Sequence, residues 1–544
     1  EPQLWRMGAC RPTIDGTIVG FEKKGKDTYA LIDTSDVHTL MIAAAGTGKT
    51  TFFLEPNIEY CCAAGMSFIS TDTKGDIYRN CGYVAAKRYG YKISVIDLRN
   101  PLKSDGFNLL HLVKKYMDEY KNNPLNISAK AKSERYAKIV ADSIIAADGD
   151  KYGANTYFYD AAKGLIAALI LIIAEYGNDK ECHIVSVLKL MIELLEAKPQ
   201  KKSQLKSETY FADLIKLLPP EHKARWLSGA AINNADQAAL SVISTALSRL
   251  NSLIDTETEQ ILCFNTAIDT ETLCKEKCAV FIVLPEEDRT KYVIANLIIE
   301  QISREIYHIA DENGGHLDKR IMIYFEEFGT MPPISGVEAM FSALRSRSVS
   351  IVAIIQSFAQ LEKNYGKQGS EIIVDNTQLM LFGGFAPGSS SAEKLSKDLG
   401  KQTILTGSIS KGNGGKNSGH QSQQLQMTGR ELITADELKC LPKGTFICTK
   451  TGMSPFKVQL LFYEKLGIRY DEKLNAEIKE VKTVYYADRK SISKVIKKQH
   501  IDEQENEMNK EENVSDINEL ITDYSLEEDD IFTETPSSKK MIRT

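Results

Sequence analysis

Val37 to Thr51 reads VHTLMIAAAGTGKTT, and this stretch decides the fold. The apolar run ending at Ala43 has the form of a buried strand, and it passes through a glycine loop straight into Thr50 to Gly65, TTFFLEPNIEYCCAAG, a helix candidate. A loop held between a strand and a helix N-terminus points consecutive backbone N–H groups at one spot, where phosphates are bound. A lysine then neutralises the β and γ phosphates, and the next hydroxyl reaches Mg²⁺. Gly46, Thr47, Gly48, Lys49, Thr50 and Thr51 are therefore the candidate nucleotide-binding residues, with Thr50 on the metal side, and ATP with Mg²⁺ are the implied cofactors. Ala43 stands where the pattern GxxxxGK[ST] has its first glycine.

Outward from this loop, GMSFIST and YKISVID supply two more short apolar strands that close on Asp72 and Asp97. Alternating β and α elements predict a parallel sheet with ligands at the carboxyl ends of its strands. From about Asn126 the period becomes helical, in SERYAKIVADSIIAAD, TYFYDAAKGLIAALILIIAEY, HIVSVLKLMIELLEA and DQAALSVISTALSRLN. Strand patterns return in KCAVFIVLP, KRIMIYFEE, SVSIVAIIQ, TQLMLFGGF and KGTFICTK. The fold class is α/β, a P-loop nucleotide-binding domain interrupted by an all-α insertion. The expected divisions are a β-hairpin leader over 1–37, the first part of the nucleotide-binding domain over 38–125, the all-α insertion over 126–269, the second part over 270–485, and a charged, acidic, disordered tail over 486–544. The leader rests on Thr13 to Thr34, which alternates apolar and polar residues about a Lys-Gly turn. Thr406 to Gln424, rich in Gly and Ser, reads as a mobile loop.

With 544 residues, 43% of them hydrophobic, the chain has ample material for a large core and is not disordered overall. Ten cysteines without CxxC pairs argue for a reducing, cytosolic setting rather than a disulfide scaffold. The net charge of -6 hides an asymmetry: Ile501 to Phe532 holds thirteen acids and one base, Lys510. The last 44 residues sum to -10, so the first 500 carry +4. The apolar run Gly164 to Ala174 is too short to span a bilayer. A chain that starts at Glu1 rather than Met is expected to be preceded by further sequence.

The second half of a phosphate site is read in RIMIYFEEFG, Arg320 to Gly329, an apolar strand ending in two acids. Glu326 takes the metal side and Glu327 the side of the attacking water. SVSIVAIIQS ends on Gln356, an amide suited to sensing a γ-phosphate or orienting water. Just upstream, Arg345 and Arg347 are candidates for a guanidinium that reaches a neighbouring subunit's nucleotide, and spacing alone does not choose between them.

The ordered set AAAGTGKTT, STDTKGDIY (Ser70 to Tyr78), IDLRNPLKSDGFN (Ile96 to Asn108), YFEEFG, RSRSVSIVAIIQSFAQLEKNYG (Arg345 to Gly366), LSKDLG and GRELITADELKCLP (Gly429 to Pro442) resembles the conjugative coupling proteins of type IV secretion systems, the TraG-like DNA-transfer ATPases. The likeness covers roughly Asp36 to Glu464, with Thr73 and Asp76 standing where that family carries proline and glutamate. It implies a RecA-like P-loop motor domain with an inserted all-α domain, preceded by membrane helices and assembled as a hexameric ring on the cytoplasmic face of the bacterial cell membrane. It further implies ATP hydrolysis, DNA bound without sequence specificity, and partners in the relaxase complex and the secretion channel. By the same resemblance the nucleotide loop falls on Gly46, Gly48, Lys49 and Thr50, and the acidic pair on Glu326 and Glu327. The polar sensor falls on Gln356 and the trans arginine on Arg345, with Arg347 as runner-up. The alternatives are a DNA-pumping ATPase of the FtsK and HerA type, which should lack QSFAQLEKNYG and LITADELKCLP, and a nucleotide-gated docking platform that does not hydrolyse.

Overall fold

Strand β4, Thr39–Ala43, is buried along its whole length and is the spine of the molecule in the computed structural model. The structure describes residues 3–6, 12, 14–146, 156–195, 210–229, 236–251, 254–411 and 421–502. Around β4 lies a nine-stranded sheet in the order β14-β13-β10-β4-β9-β8-β5-β7-β6. Its members are β5 (Ser67–Asp72), β6 (Lys92–Asp97), β7 (Cys278–Val283), β8 (Ile321–Phe325), β9 (Val349–Ile355), β10 (Leu379–Gly383), β13 (Thr445–Lys450) and β14 (Phe456–Gln459). The seven strands from β10 to β6 are parallel, whereas β13 and β14 are antiparallel additions. Parallel strands are covered on both faces, which is why these segments read as unbroken apolar runs.

The order of the strands joins the two halves of the sequence. β7 is the first strand after the helical segment, yet it sits between β5 and β6 from before it. Likewise β4 pairs with β9 and β10. Neither half can complete its ladder of backbone hydrogen bonds without the other.

The helical segment is built on Thr156–Tyr176, among the described residues the one helix long and apolar enough to cross a membrane. Thirteen of its residues, from Ala161 to Tyr176, are buried among neighbouring helices that include Ile127–Ala146, Ile184–Leu195, Lys223–Leu227 and Asp236–Asn251. A helix that is apolar on all sides is stable where protein surrounds it, each large aliphatic side chain contributing roughly 1.5–3 kcal/mol on burial. Its C-terminal turn is tied by Glu175, whose Oε2 lies 2.8 Å from His222 Nε2.

Three segments differ from the sequence expectation. The leader is a three-stranded antiparallel sheet: β1 (Gln3–Arg6) joins the hairpin of β2 (Thr17–Lys24) and β3 (Asp27–Asp33). Asn57 fastens it to the helix after the glycine loop. Its Oδ1 accepts from Ile18 N at 2.7 Å and its Nδ2 donates to Ile18 O at 3.2 Å. The expected mobile loop is largely a two-stranded ribbon, β11 (Lys401–Lys411) against β12 (Gln421–Glu431), and 412–420 lie outside the described residues. A ribbon with both faces in water shows no apolar alternation, so its polar sequence resembles a loop, although Leu405, Leu425 and Met427 are exposed on it. Finally, the stretch expected as a tail from 486 begins with a helix over 489–502, anchored by buried Ile492 and Ile496 and by His500, whose ring nitrogen lies 2.7 Å from Leu217 O. Residues 503–544 lie outside the described residues.

Candidate nucleotide site

The site stands where strand order brings it, at the carboxyl ends of β4, β9 and β8, which lie side by side. After β4 the chain turns through Gly46 and Gly48, with φ of 76° and 87°, backbone that residues with a Cβ rarely adopt. Among the described residues no protein acceptor takes the amide hydrogens of Gly46, Thr47, Gly48 or Lys49. The loop is braced from β10: Gly384 O accepts from Ala44 N at 3.0 Å, and a Cβ at Gly384 would lie 2.3 Å from Thr47 Cγ2. Thr47 donates to Ala44 O at 2.8 Å, and Thr51 donates to Gly48 O at 3.2 Å.

Lys49 is buried, and its Nζ donates to Ala43 O at 3.1 Å and lies 3.5 Å from Glu327 Oε1. Burial holds the amine below the usual lysine range while Glu327 pulls the other way. Gln356 Nε2 donates to the other oxygen of Glu327 at 3.3 Å. Thr50 donates to Glu326 Oε1 at 3.1 Å, and Thr73 gives Glu326 Oε2 two hydrogen bonds, from its amide at 3.0 Å and from its hydroxyl at 3.2 Å. Burial and the nearby Asp72 carboxylate push the Glu326 carboxyl up to about 7 despite these donors. Lys49, Thr50, Glu326, Glu327 and Gln356 thus meet in one place, although 278 positions of chain separate Lys49 from Glu327.

Arg345 and Arg347 do not join them. Both precede β9, whose seven residues span about 23 Å, and Gln356 is at its far end. Arg347 pairs with Asp311 at 3.0 Å and packs over the ring of Tyr307. Arg345 is exposed and has no ion pair among the described residues.

Some residues at the candidate site were given no role in it from sequence. Thr73 is one, and Asp72 is another. The Asp72 carboxylate accepts from the amides of Lys74, Gly75 and Tyr78 at 3.1, 2.7 and 2.8 Å, which shapes the turn that presents Thr73. Glu55, one turn beyond the glycine loop, is buried, and burial pushes its carboxyl up to about 7. A carboxylate in an otherwise apolar helix start was the available signal. The stretch QSFAQLEKNYG finds a physical role here. Gln360 Oε1 accepts from Gln356 N at 2.8 Å, and Asn364 Nδ2 donates to Gly329 O at 3.3 Å and Met331 O at 2.8 Å. Tyr365 stacks on Phe328 with ring centroids 5.6 Å apart. One helix face therefore fixes the loop that follows Glu327. Arg99 performs a similar service for the turn at Thr73. Its guanidinium donates to the carbonyls of Thr73, Lys74 and Leu284, across the ends of β5 and β7.

A phosphate loop, an acidic strand end and a polar strand end on adjacent parallel strands define a P-loop NTPase of RecA-like fold, here carrying an all-α domain. The sequence matches the family described as type IV secretory system conjugative DNA transfer over residues 9–499, and the chain belongs to that family of conjugative coupling proteins. No curated protein sequence matches the chain. Among solved structures, the bacterial conjugative coupling protein TrwBdeltaN70, unbound, is similar with a TM-score of 0.56 at 14% identity, covering 87% of this chain and 98% of that one. The plasmid coupling protein TrwB in complex with ADP and Mg²⁺ gives 0.54 at 13%, over 88% and 99%. TrwB in complex with the non-hydrolysable ATP analogue ADPNP gives 0.54 at 13%, over 82% and 89%.

Proposed function

We propose that the chain is an ATP-hydrolysing coupling protein that recruits a relaxase-bound DNA strand and drives it into a type IV secretion channel. The observation that carries this reading is the convergence of Lys49, Thr50, Glu326, Glu327 and Gln356 at the ends of three adjacent strands. The donors fit the ligand. Free loop amides and Lys49 suit phosphates, while the Thr50 hydroxyl and the Glu326 carboxylate are the hard oxygens that Mg²⁺ takes. The structures of TrwB with ADP and Mg²⁺ and with ADPNP support the same cofactors.

When bound, ATP with Mg²⁺ supplies the anhydride to be cleaved and a divalent charge against which negative charge develops. Lys49 then exchanges its contact with Glu327 for phosphate oxygens, which frees a carboxylate oxygen to accept a proton from water. Gln356, on the other oxygen of Glu327, holds that carboxylate in one orientation. Glu326, fixed by three donors, orients the metal side together with Thr50. Arg345 completes the charge stabilisation from the next subunit of a homo-oligomeric, hexameric ring. Its place at the opposite ends of the strands forbids action on its own loop, and it is less engaged than Arg347. The ring works at the cytoplasmic face of the membrane and binds DNA through phosphates, with the steep salt dependence such binding has.

Glu327→Gln tests the reading. It retains nucleotide binding, and DNA-stimulated hydrolysis falls by about 10² to 10⁴, the usual contribution of a positioned general base. DNA transfer is lost with it. Hydrolysis at the wild-type rate would reject Glu327 as the base, and transfer without hydrolysis would make the protein a docking platform.

A further inference from the structure

The helix over 489–502 lies beside the helix Tyr210–Leu217, and between them runs a groove of about 900 Å³. Lys216, Lys490, Lys494, Lys497, Lys498 and Arg489 line it, and Asp213 is the one acid among its lining residues. Lys490, Lys494, Lys497 and Lys498 recur at helical spacing, so they share one face, all exposed, while Ile492 and Ile496 face the core. None of the five lysines forms an ion pair among the described residues. Tyr210, Leu217 and Ile501 add apolar surface to the same groove, Ile501 being 55% exposed. Crowding five like charges on one surface is unfavourable unless an anion answers them.

The chain carries such an anion directly beyond the groove. Glu511 to Asp530 contains nine acids and no base. Within it Ile517, Leu520, Ile521 and Tyr524 stand at i, i+3, i+4 and i+7, the spacing of an amphipathic helix whose other face is acidic. The reach also matches. A helix of 14 residues is about 21 Å long, and the 15 positions from Asp502 to Ile517 are chain enough to reach back over that length. We propose that the basic groove is the docking site of this chain's own acidic segment, Glu511 to Asp530, which lays its apolar stripe on Tyr210, Leu217 and Ile501 and its acids against the lysines. Tethering raises the local concentration of the segment to roughly millimolar, so weak contacts hold it, and it keeps other polyanions out of the groove. The assignment does not depend on ATP hydrolysis.

Hydrogen exchange on the full chain tests it. Amides of Ile517 to Tyr524 should exchange at least about fivefold more slowly than in the isolated peptide, which corresponds to roughly 1 kcal/mol of docking. The protection should survive replacement of Lys490, Lys494, Lys497 and Lys498 by Arg and vanish when the same four become Gln, with unfolding midpoints unchanged in both. Coil-like exchange in the wild type, or equal protection in the Gln variant, overturns the proposal. Protection that grows with protein concentration overturns it in favour of a second copy. Groove lysines that resist acetylation only when a 20-base-pair duplex is added assign the groove to nucleic acid instead.

Discussion

Thr73→Val removes one hydroxyl and leaves the backbone amide, so it isolates a single hydrogen bond to Glu326. That bond is 3.2 Å long in a site where Glu326 is 5% exposed. A hydrogen bond to an ionised group contributes about 1.5–3 kcal/mol, and the lower figure is a factor of about ten in an equilibrium constant. Loss of the donor also lifts further a carboxyl already pushed up to about 7, so protons compete better with Mg²⁺ for it. The half-saturating Mg²⁺ for binding a fluorescent ATP analogue should therefore rise only slightly at pH 8, where much of Glu326 is ionised in both proteins, and by about tenfold at pH 6, where protons compete for it. Thr73→Pro, the residue the family carries there, removes the amide donor as well and should shift it further. Restoring glutamate chemistry by raising the pH should recover part of the loss in Val but less in Pro. An unchanged Mg²⁺ dependence in both variants would refute the claim that Thr73 holds the metal-side carboxylate.

Arg345→Ala should lower ATPase only in the assembled oligomer, by about 10³ or more if it acts as a trans arginine, with monomer nucleotide binding unchanged; an unchanged oligomer rate would transfer the role to Arg347. The pH dependence of stability has a fixed sign. Glu326 and Glu55 are raised to about 7 from 4.5, so their stabilising contribution is complete below about 4.5 and is lost as pH rises through 7, at most about 3 kcal/mol each. In nucleotide-free protein Glu326→Gln should therefore flatten part of the fall in unfolding midpoint between pH 5 and 8, and an identical slope in the variant would place the titration elsewhere.

Several elements were legible because their signal is local. The glycine loop needs positive φ at Gly46 and Gly48 and a lysine directly after them, and those demands fall on consecutive residues. The acids at Glu326 and Glu327 end an apolar strand and were visible for the same reason. The ribbon of β11 and β12 was not, because its two polar strands satisfy each other's backbone groups in water and leave no apolar alternation to read. Lys494, Lys497 and Lys498 read as a solvated helix face, but that the helix over 489–502 packs against the protein was not legible, since two apolar anchors in a charged stretch do not stand out. Thr73 looked like a mere departure from a family pattern, because its partner Glu326 is 253 residues away.

By itself the sequence determined the class of the domain, the glycine loop and the polar residues that end the strands beside it, since each of these is written within one strand-turn-helix span. Tertiary structure alone decided the strand order that slots β7 between β5 and β6 and sets β9 between β4 and β8. It alone therefore decided that Gln356 meets Glu327 beside Lys49 and that Arg345 faces away. The reason is that parallel strands pair through crossovers of arbitrary length, so which strand ends become neighbours is fixed by packing of the whole sheet and not by any window of residues.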